Sequence, residues 1–267
     1  MKTGFIGCGN MGSALAVGIC KAISPAEVIV FDRHMEKIEK ISDKTGCATA
    51  KNAQEICEKS EYIVVAVKPQ MFRDVLKDII PFITENHKII SIAAGISVSD
   101  IQGILKENGK DIPVIRMLPN TPSEVGEGLN IYCESKNCDD KICKEVEHMF
   151  KDCGLIEKVS EKMVDMASAI SGCTPAFAYM FIDALADGAV RCGVPRDKAI
   201  RYAAQAVKGA AAMVLETGRH PGELKDAVCS PAGSTIVGVA TLEDSAFRSA
   251  AANAVYNANE KNKSLGK

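Results

Sequence analysis

The first twelve residues leave this chain only one kind of beginning. Lys2-Thr3-Gly4-Phe5-Ile6 is a short apolar strand that runs into Gly7-Cys8-Gly9-Asn10-Met11-Gly12, and residues 13–23 continue as an amphipathic helix. In a strand–turn–helix of this kind each glycine has its own task. Gly7 permits the tight turn, Gly9 lets a pyrophosphate approach the backbone, and Gly12 lets the helix pack on the strand. A second strand at 27–31 follows and ends in Asp32-Arg33. That position lies about 20 residues after the last glycine, where an acidic side chain meets an adenosine ribose. The context points to a bound dinucleotide rather than to a structural turn.

Beyond Arg33 the alternation continues. A charged helix is expected at 33–45, a short strand at 48–50, and a continuous β-branched run at 62–67, the pattern of a strand covered on both faces. Lys68-Pro69-Gln70 opens a helix to Ile80, 87–92 is a buried strand ending in Ala93-Ala94-Gly95, and 112–117 is closed by Leu118-Pro119-Asn120-Thr121-Pro122. Weaker strands at 129–133 and 155–159 flank a helix near 140–153. The expected class is α/β, a doubly wound, mostly parallel sheet of Rossmann type. Ligands of such sheets bind outside the carboxyl ends of the strands. Asp32 and Arg33, Val67, Lys68 and Pro69, Ala93 and Ala94, and Pro119 and Asn120 stand there beside the glycine turn, so all would line one crevice.

From about Glu161 the strands stop. Alanine-rich helices are expected at 163–170, 175–192, 196–216, 220–228, 231–242 and 244–261. The chain therefore divides into a dinucleotide-binding domain over 1–160 and an all-helical domain over 161–267. So many apolar helix faces are hard to bury in one copy, which favours a homodimer made through the helical half. The competing arrangement packs those helices against the sheet domain.

Within the helical half, Ser230-Pro231-Ala232-Gly233-Ser234-Thr235 reads as a helix opening, with Ser230 as N-cap and Pro231 at the first helical position. The N–H groups that follow lack intrahelical partners and sit at the positive end of the dipole. Hydroxyls beside them make a compact site for a carboxylate. Alone, the segment reads first as an ordinary capped helix; the glycine turn at the other end of the chain supplies its chemical partner.

A net charge of −2 gives no electrostatic case for nucleic acid or an anionic membrane. No apolar run is expected to reach the length of a membrane span. With a strand from about Lys2, no room for a secretory or organelle leader is expected. The 11 cysteines form no Cys-x-x-Cys pair and suit a reducing cytoplasm. Cys133, Cys138 and Cys143 are evenly spaced but are separated by Lys136, Asn137, Asp139 and Asp140, a solvated turn rather than a metal site, so no metal is expected. Cys229 has no histidine beside it in sequence and reads as packing.

Taken together the motifs resemble pyrroline-5-carboxylate reductase, over nearly the whole chain. They are Gly4-Phe5-Ile6-Gly7-Cys8-Gly9-Asn10-Met11, Val67-Lys68-Pro69-Gln70, Ser91-Ile92-Ala93-Ala94-Gly95-Ile96-Ser97, Pro119-Asn120-Thr121-Pro122, Leu215-Glu216-Thr217-Gly218, His220-Pro221, Leu224-Lys225-Asp226, the 230–236 segment and Phe247-Arg248-Ser249-Ala250. The last third is specific to that family, whereas the first is shared with many dehydrogenases. The resemblance implies NAD(P)H-dependent reduction of a cyclic imine to L-proline, and an intertwined dimer often assembled further into rings. It implies that Ser230 and the N–H groups of Gly233, Ser234 and Thr235 hold the substrate carboxylate, and that the Thr235 hydroxyl reaches the ring nitrogen. Gly7, Gly9, Asn10, Met11, Gly12, Asp32, Arg33, Asn52, Val67, Lys68, Pro69, Ala93, Ala94, Pro119 and Asn120 would surround the cofactor.

Ala232 departs from the family, which usually has glycine there, and a place in the first turn of a helix would make it harmless. The family's Ser-Gly-Ser-Gly-Pro-Ala-Tyr reads here as Ser171-Gly172-Cys173-Thr174-Pro175-Ala176-Phe177. Cofactor choice stays open: Asp32 favours NADH, whereas Arg33 and His34 can pair a 2′-phosphate, and the balance leans to NADPH. Two other readings compete. A β-hydroxyacid dehydrogenase needs a lysine on the first long helix after the sheet, and residues 163–181 contain none. A non-catalytic, dinucleotide-sensing regulatory dimer has no need of a carboxylate site.

Overall fold

The structure, a computed structural model, describes residues 2–265. Its strands are β1 (Thr3–Ile6), β2 (Val28–Phe31), β3 (Ala48–Thr49), β4 (Tyr62–Val65), β5 (Lys88–Ser91), β6 (Val114–Leu118), β7 (Gly128–Glu134) and β8 (Gly154–Lys158). The helices are α1 (Asn10–Ala22), α2 (Met35–Thr45), α3 (Ala53–Lys59), α4 (Pro69–Ile79), α5 (Val98–Glu107), α6 (Asp140–Phe150), α7 (Glu161–Arg191), α8 (Arg196–Thr217), α9 (Pro221–Ala227), α10 (Ser234–Asp244) and α11 (Phe247–Leu265). Two compact units result: Met1–Gly172 with Asn259–Lys267, and Cys173–Ala258.

The first unit holds one sheet in the order β3-β2-β1-β4-β5-β6-β7-β8. Every neighbouring pair is parallel except β6 and β7. Both faces are covered, which is why the strands read as unbroken apolar runs. Phe5, Val64, Ile90 and Ile115 pack with Leu15 of α1, Ile38 of α2 and Phe150 of α6. Ile6, Ile63, Ile89 and Val114 pack with Ile56 of α3, Phe72 of α4 and Ile101 of α5. The chain builds outward from β1 in one direction and from β4 in the other, so the order reverses between them. That reversal opens a crevice at the carboxyl ends of β1 and β4.

The start of α7 is tied to the sheet by a buried guanidinium. Arg116 of β6 is 3% exposed and pairs with Glu161 at 3.3 Å and Asp165 at 2.6 Å. Glu161 also accepts the N–H of Val98 at 2.6 Å, so one carboxylate serves the sheet and the first turn of α5. Separating these partners strands a buried cation, a loss of about 3–5 kcal/mol.

The second unit has a thin core. Ala186, Ala199 and Ala203 are its buried apolar residues, with Ile182, Ala189, Val190 and Val194 against them. Phe181 and Phe247 stack at 5.4 Å. Neither α9 nor α10 buries a residue. Met180, Leu215, Val228, Val237 and Tyr256 all stand more than half exposed, a surface that one copy leaves uncovered.

Five expectations from sequence change here. The helices expected at 163–170 and 175–192 are one continuous α7 with Pro175 inside it. Breaking that run at the proline also hid its length: α7 is long and apolar enough, by length and composition alone, to cross a membrane. A core helix of an assembled protein passes the same test. The helix expected from Pro231 begins at Ser234, and the last helix begins at Phe247 rather than at 244. Helices α3 and α5 join the alternation, each announced by a cap: Asn52 accepts from Glu55 N, and Ser97 with Asp100 forms a capping box.

Candidate active site

Two helix starts differ from the rest. Among the described helices only α1 and α10 begin directly behind a glycine, Gly9 and Gly233. Neither has a side-chain cap or an acid in its first turn. Acids occupy the first turn of α2, α3, α5, α6, α7, α8 and α9 and offset their dipoles there. Helices α4 and α11 also lack an acid, but α4 opens on Lys68-Pro69 and α11 follows Ala246, so neither has a glycine to let a ligand approach its first turn. The positive ends of α1 and α10 are thus left open to an anion.

At α1 the loop is built by close approach. Gly7 N–H donates to Phe31 O at 2.8 Å, and Ala66 N–H to Ile6 O at 2.8 Å. Gly7 has φ +102°, and a Cβ there would lie 2.6 Å from Ala66 O. A Cβ on Gly12 would lie 2.2 Å from Gly7 O, whereas one on Gly9 would meet nothing within 4 Å. The first intrahelical bond runs from Ser13 N to Gly9 O, at 2.9 Å. The N–H groups of Asn10, Met11 and Gly12 therefore precede the ladder. These donors and the empty space over Gly9 fit a pyrophosphate.

The remaining candidates of this unit gather along the same edge. Asp32 and Arg33 follow β2, Asn52 follows β3, Val67, Lys68 and Pro69 follow β4, Ala93 and Ala94 follow β5, and Pro119 and Asn120 follow β6. Asp32 is already engaged. Its Oδ2 accepts Cys8 N–H at 2.7 Å, and its Oδ1 accepts His34 N–H at 2.9 Å and lies 2.9 Å from His34 Nδ1. Burial alone would push this carboxyl up; the two backbone donors, the His34 ring and the Lys37 ammonium outweigh it and hold it below the ordinary carboxylate range. Burial and the Asp32 charge push the neighbouring Cys8 thiol up to about 12, which keeps it protonated. Asn52 Oδ1 and the Asn120 side chain are likewise committed within the protein, the former to the cap of α3 and the latter to Ser171 O and Leu129 N.

The helical unit brings Ser230, Gly233, Ser234 and Thr235 together in one turn, but not as a helix opening at Ser230. Gly233 N–H donates to Ser230 O at 3.0 Å and closes a β-turn with Pro231 and Ala232 at its corners. A Cβ on Gly233 would lie 2.3 Å from Ser230 Oγ, so the glycine keeps that hydroxyl beside the helix start. The first ladder bond is Val237 N to Gly233 O, at 3.4 Å. The donors left open are the N–H groups of Ser234, Thr235 and Ile236, the last unforeseen because the helix was expected three residues earlier. Ala232 does not lie in a helical first turn: its φ is +58°. The left-handed region costs a residue with a Cβ about 1–2 kcal/mol, part of which glycine's extra backbone entropy would cancel. Ala232→Gly is therefore expected to raise unfolding stability by about 0.5–1 kcal/mol in urea titrations; no gain would mean the turn is unstrained.

His87 and His220 each have structural partners. His87 is buried, with Nδ1 accepting Thr84 N–H at 2.8 Å and Nε2 2.8 Å from Cys57 O. His220 caps α9 through Nδ1, accepting Gly222 N–H at 3.0 Å.

The family model described as "Pyrroline-5-carboxylate reductase dimerisation" matches residues 161–265, and one described as "NADP oxidoreductase coenzyme F420-dependent" matches residues 2–95. The chain is 39% identical to a pyrroline-5-carboxylate reductase of Escherichia coli, over 100% of this chain and 98% of that one. It is 40% identical to one of Methanosarcina acetivorans over the same shares. Among solved structures, the Plasmodium falciparum pyrroline carboxylate reductase with NADP bound matches at TM-score 0.87 and 35% identity, covering 100% of this chain and 98% of that chain. A mostly parallel sheet ending in an open glycine turn, a helical half matched by a dimerisation model, and relatives alike from end to end together place this chain in the pyrroline-5-carboxylate reductase family.

Proposed function

We propose that the chain reduces 1-pyrroline-5-carboxylate to L-proline with NAD(P)H, the last step of proline biosynthesis. The observation that carries this reading is the pair of uncapped, acid-free helix starts that follow a glycine, one fitted to a pyrophosphate and one to a small carboxylate. The glycine turn, Asn10, Met11 and the ends of β2 to β6, with Val67, Lys68, Pro69, Ala93, Ala94 and Pro119, hold the nucleotide. Ser230 Oγ and the N–H groups of Ser234, Thr235 and Ile236 hold the substrate carboxylate, and Gly233 gives it room. The Thr235 hydroxyl hydrogen-bonds the ring nitrogen and orients the C=N bond. A bound nicotinamide supplies the hydride; the protein contributes orientation and exclusion of water.

Residues 1–160 serve dinucleotide binding, and 161–267 serve dimerisation and substrate binding. The uncovered apolar surface of the helical unit supports a homodimer, with a ring of dimers as the further assembly. Eleven free thiols support a cytoplasmic setting. NADPH is favoured over NADH: the Asp32 carboxylate is already engaged by the Cys8 and His34 N–H groups and lies beside His34 Nδ1, while Arg33 is exposed beside it. The test is a paired assay. Absorbance at the reduced nicotinamide band is expected to fall only when pyrroline-5-carboxylate is added, faster with NADPH, and from a species whose sedimentation mass is at least that of a dimer. Flat traces with both nicotinamides would overturn the assignment.

A further inference from the structure

Pro175 is the one proline inside a described helix rather than at its start. It lacks the N–H that would close onto the Ser171 carbonyl, and its ring crowds that carbonyl. Ser171 is buried, and a buried carbonyl without a donor is costly. Its missing donor comes from elsewhere in the sheet unit: Asn120 Nδ2 donates to Ser171 O at 3.0 Å. The other end of the same amide, Oδ1, accepts Leu129 N–H at 2.9 Å, and Asn120 O accepts Ser123 N–H at 3.1 Å. Asn120 is 9% exposed, so no solvent competes for these bonds. Each half of the amide has one partner of the right kind, which fixes its orientation.

We propose that Asn120 is a positioning residue: its amide supplies the hydrogen bond that Pro175 withholds from Ser171, and thereby fixes the end of β6, where Pro119 borders the cofactor crevice, to α7. This rests on the assignment of the strand ends to the nucleotide made above. The residue acts through the backbone that it holds, its amide being committed within the protein. Loss of the tether lets that backbone drift, and a displacement of about 1 Å near reacting groups lowers turnover by about a hundredfold.

Four proteins test this: wild type, Asn120→Ser, Pro175→Ala and the double variant. Serine is uncharged and too short to reach Ser171; alanine at 175 returns the helical N–H. Asn120→Ser is expected to raise the unfolding equilibrium constant, extrapolated from urea titration, by about tenfold. It should lower kcat by at least about tenfold, while the NADPH Kd measured by calorimetry moves by less than about threefold. In the double variant the part of the stability owed to Ser171 returns, because that carbonyl regains a donor, while the part owed to Leu129 N–H does not; kcat stays low, because the link to β6 is still missing. Should Asn120→Ser not fold alone, the double variant carries the test, and its failure to fold would overturn the proposal. Equal stability losses with and without Pro175 would also overturn it, as would a kcat that is unchanged in Asn120→Ser or that recovers together with stability. The urea cycle needs no substrate, so an absence of turnover in the wild type would sink the functional assignment alone.

Discussion

Gly9→Ala should weaken NADPH binding by about ten- to a hundredfold and leave the melting temperature where it is, whereas Gly12→Ala should lose both. The two glycines lie in one turn but meet different surroundings. Gly9 has φ −69° and ψ −176°, which any residue adopts, and an added Cβ meets no protein atom within 4 Å. The only occupant it can displace is the ligand, whose phosphate oxygens need the backbone N–H groups of Asn10, Met11 and Gly12 at van der Waals range. At Gly12 the added Cβ falls 2.2 Å from Gly7 O and 3.0 Å from Ala66 Cβ. Neither neighbour can yield cheaply. Gly7 is held by its bond to Phe31, and Ala66 by its bond to Ile6. Helix α1 must therefore lift from β1, at a cost of about 1–3 kcal/mol or more. Calorimetric titration of NADPH and thermal melts of both variants read the two effects separately. A Gly9→Ala protein that binds NADPH as tightly as wild type would remove the pyrophosphate from this turn.

What the sequence disclosed tracks how locally each feature is encoded. The sheet was legible because two-sided burial forces unbroken apolar runs such as Tyr62-Ile63-Val64-Val65, and the glycine turn because its spacing serves one local geometry. The carboxylate turn was legible in its residues but not in its shape. Ser-Pro-x-Gly fits both a capped helix and a β-turn, and only the left-handed φ of Ala232 decides between them. The helix runs through Pro175, and the donor for the carbonyl that the proline frees lies 51 positions from Ser171, on Asn120. Asp32 is similar. Its type and spacing announce a ribose acceptor, yet its oxygens are taken by Cys8 and His34, a fact that depends on the loop folding back over β2. Long-range polar partners of this kind leave no periodicity to read.

Thr235→Ala should lower kcat with pyrroline-5-carboxylate by about a hundred- to a thousandfold and shift stability by less than about 0.5 kcal/mol. Thr235 is exposed in the first turn of α10, so its removal opens no cavity in the described chain. Its backbone N–H survives the change, and with it the carboxylate contact, so the substrate KM should rise only a few-fold. What is lost is the hydroxyl proposed to meet the ring nitrogen. That nitrogen gains electron density as hydride reaches the adjacent carbon, and a donor that strengthens during the step acts on the transition state rather than on binding. His220, the histidine of the same unit, is committed to Gly222. Thr235→Ser keeps the hydroxyl and should retain turnover within about tenfold, whereas Ser234→Ala should act mainly on KM through the carboxylate. Steady-state rates of the three variants against urea midpoints separate these effects. An unchanged kcat in Thr235→Ala would take the hydroxyl out of the mechanism and leave orientation of the imine to the carboxylate site alone.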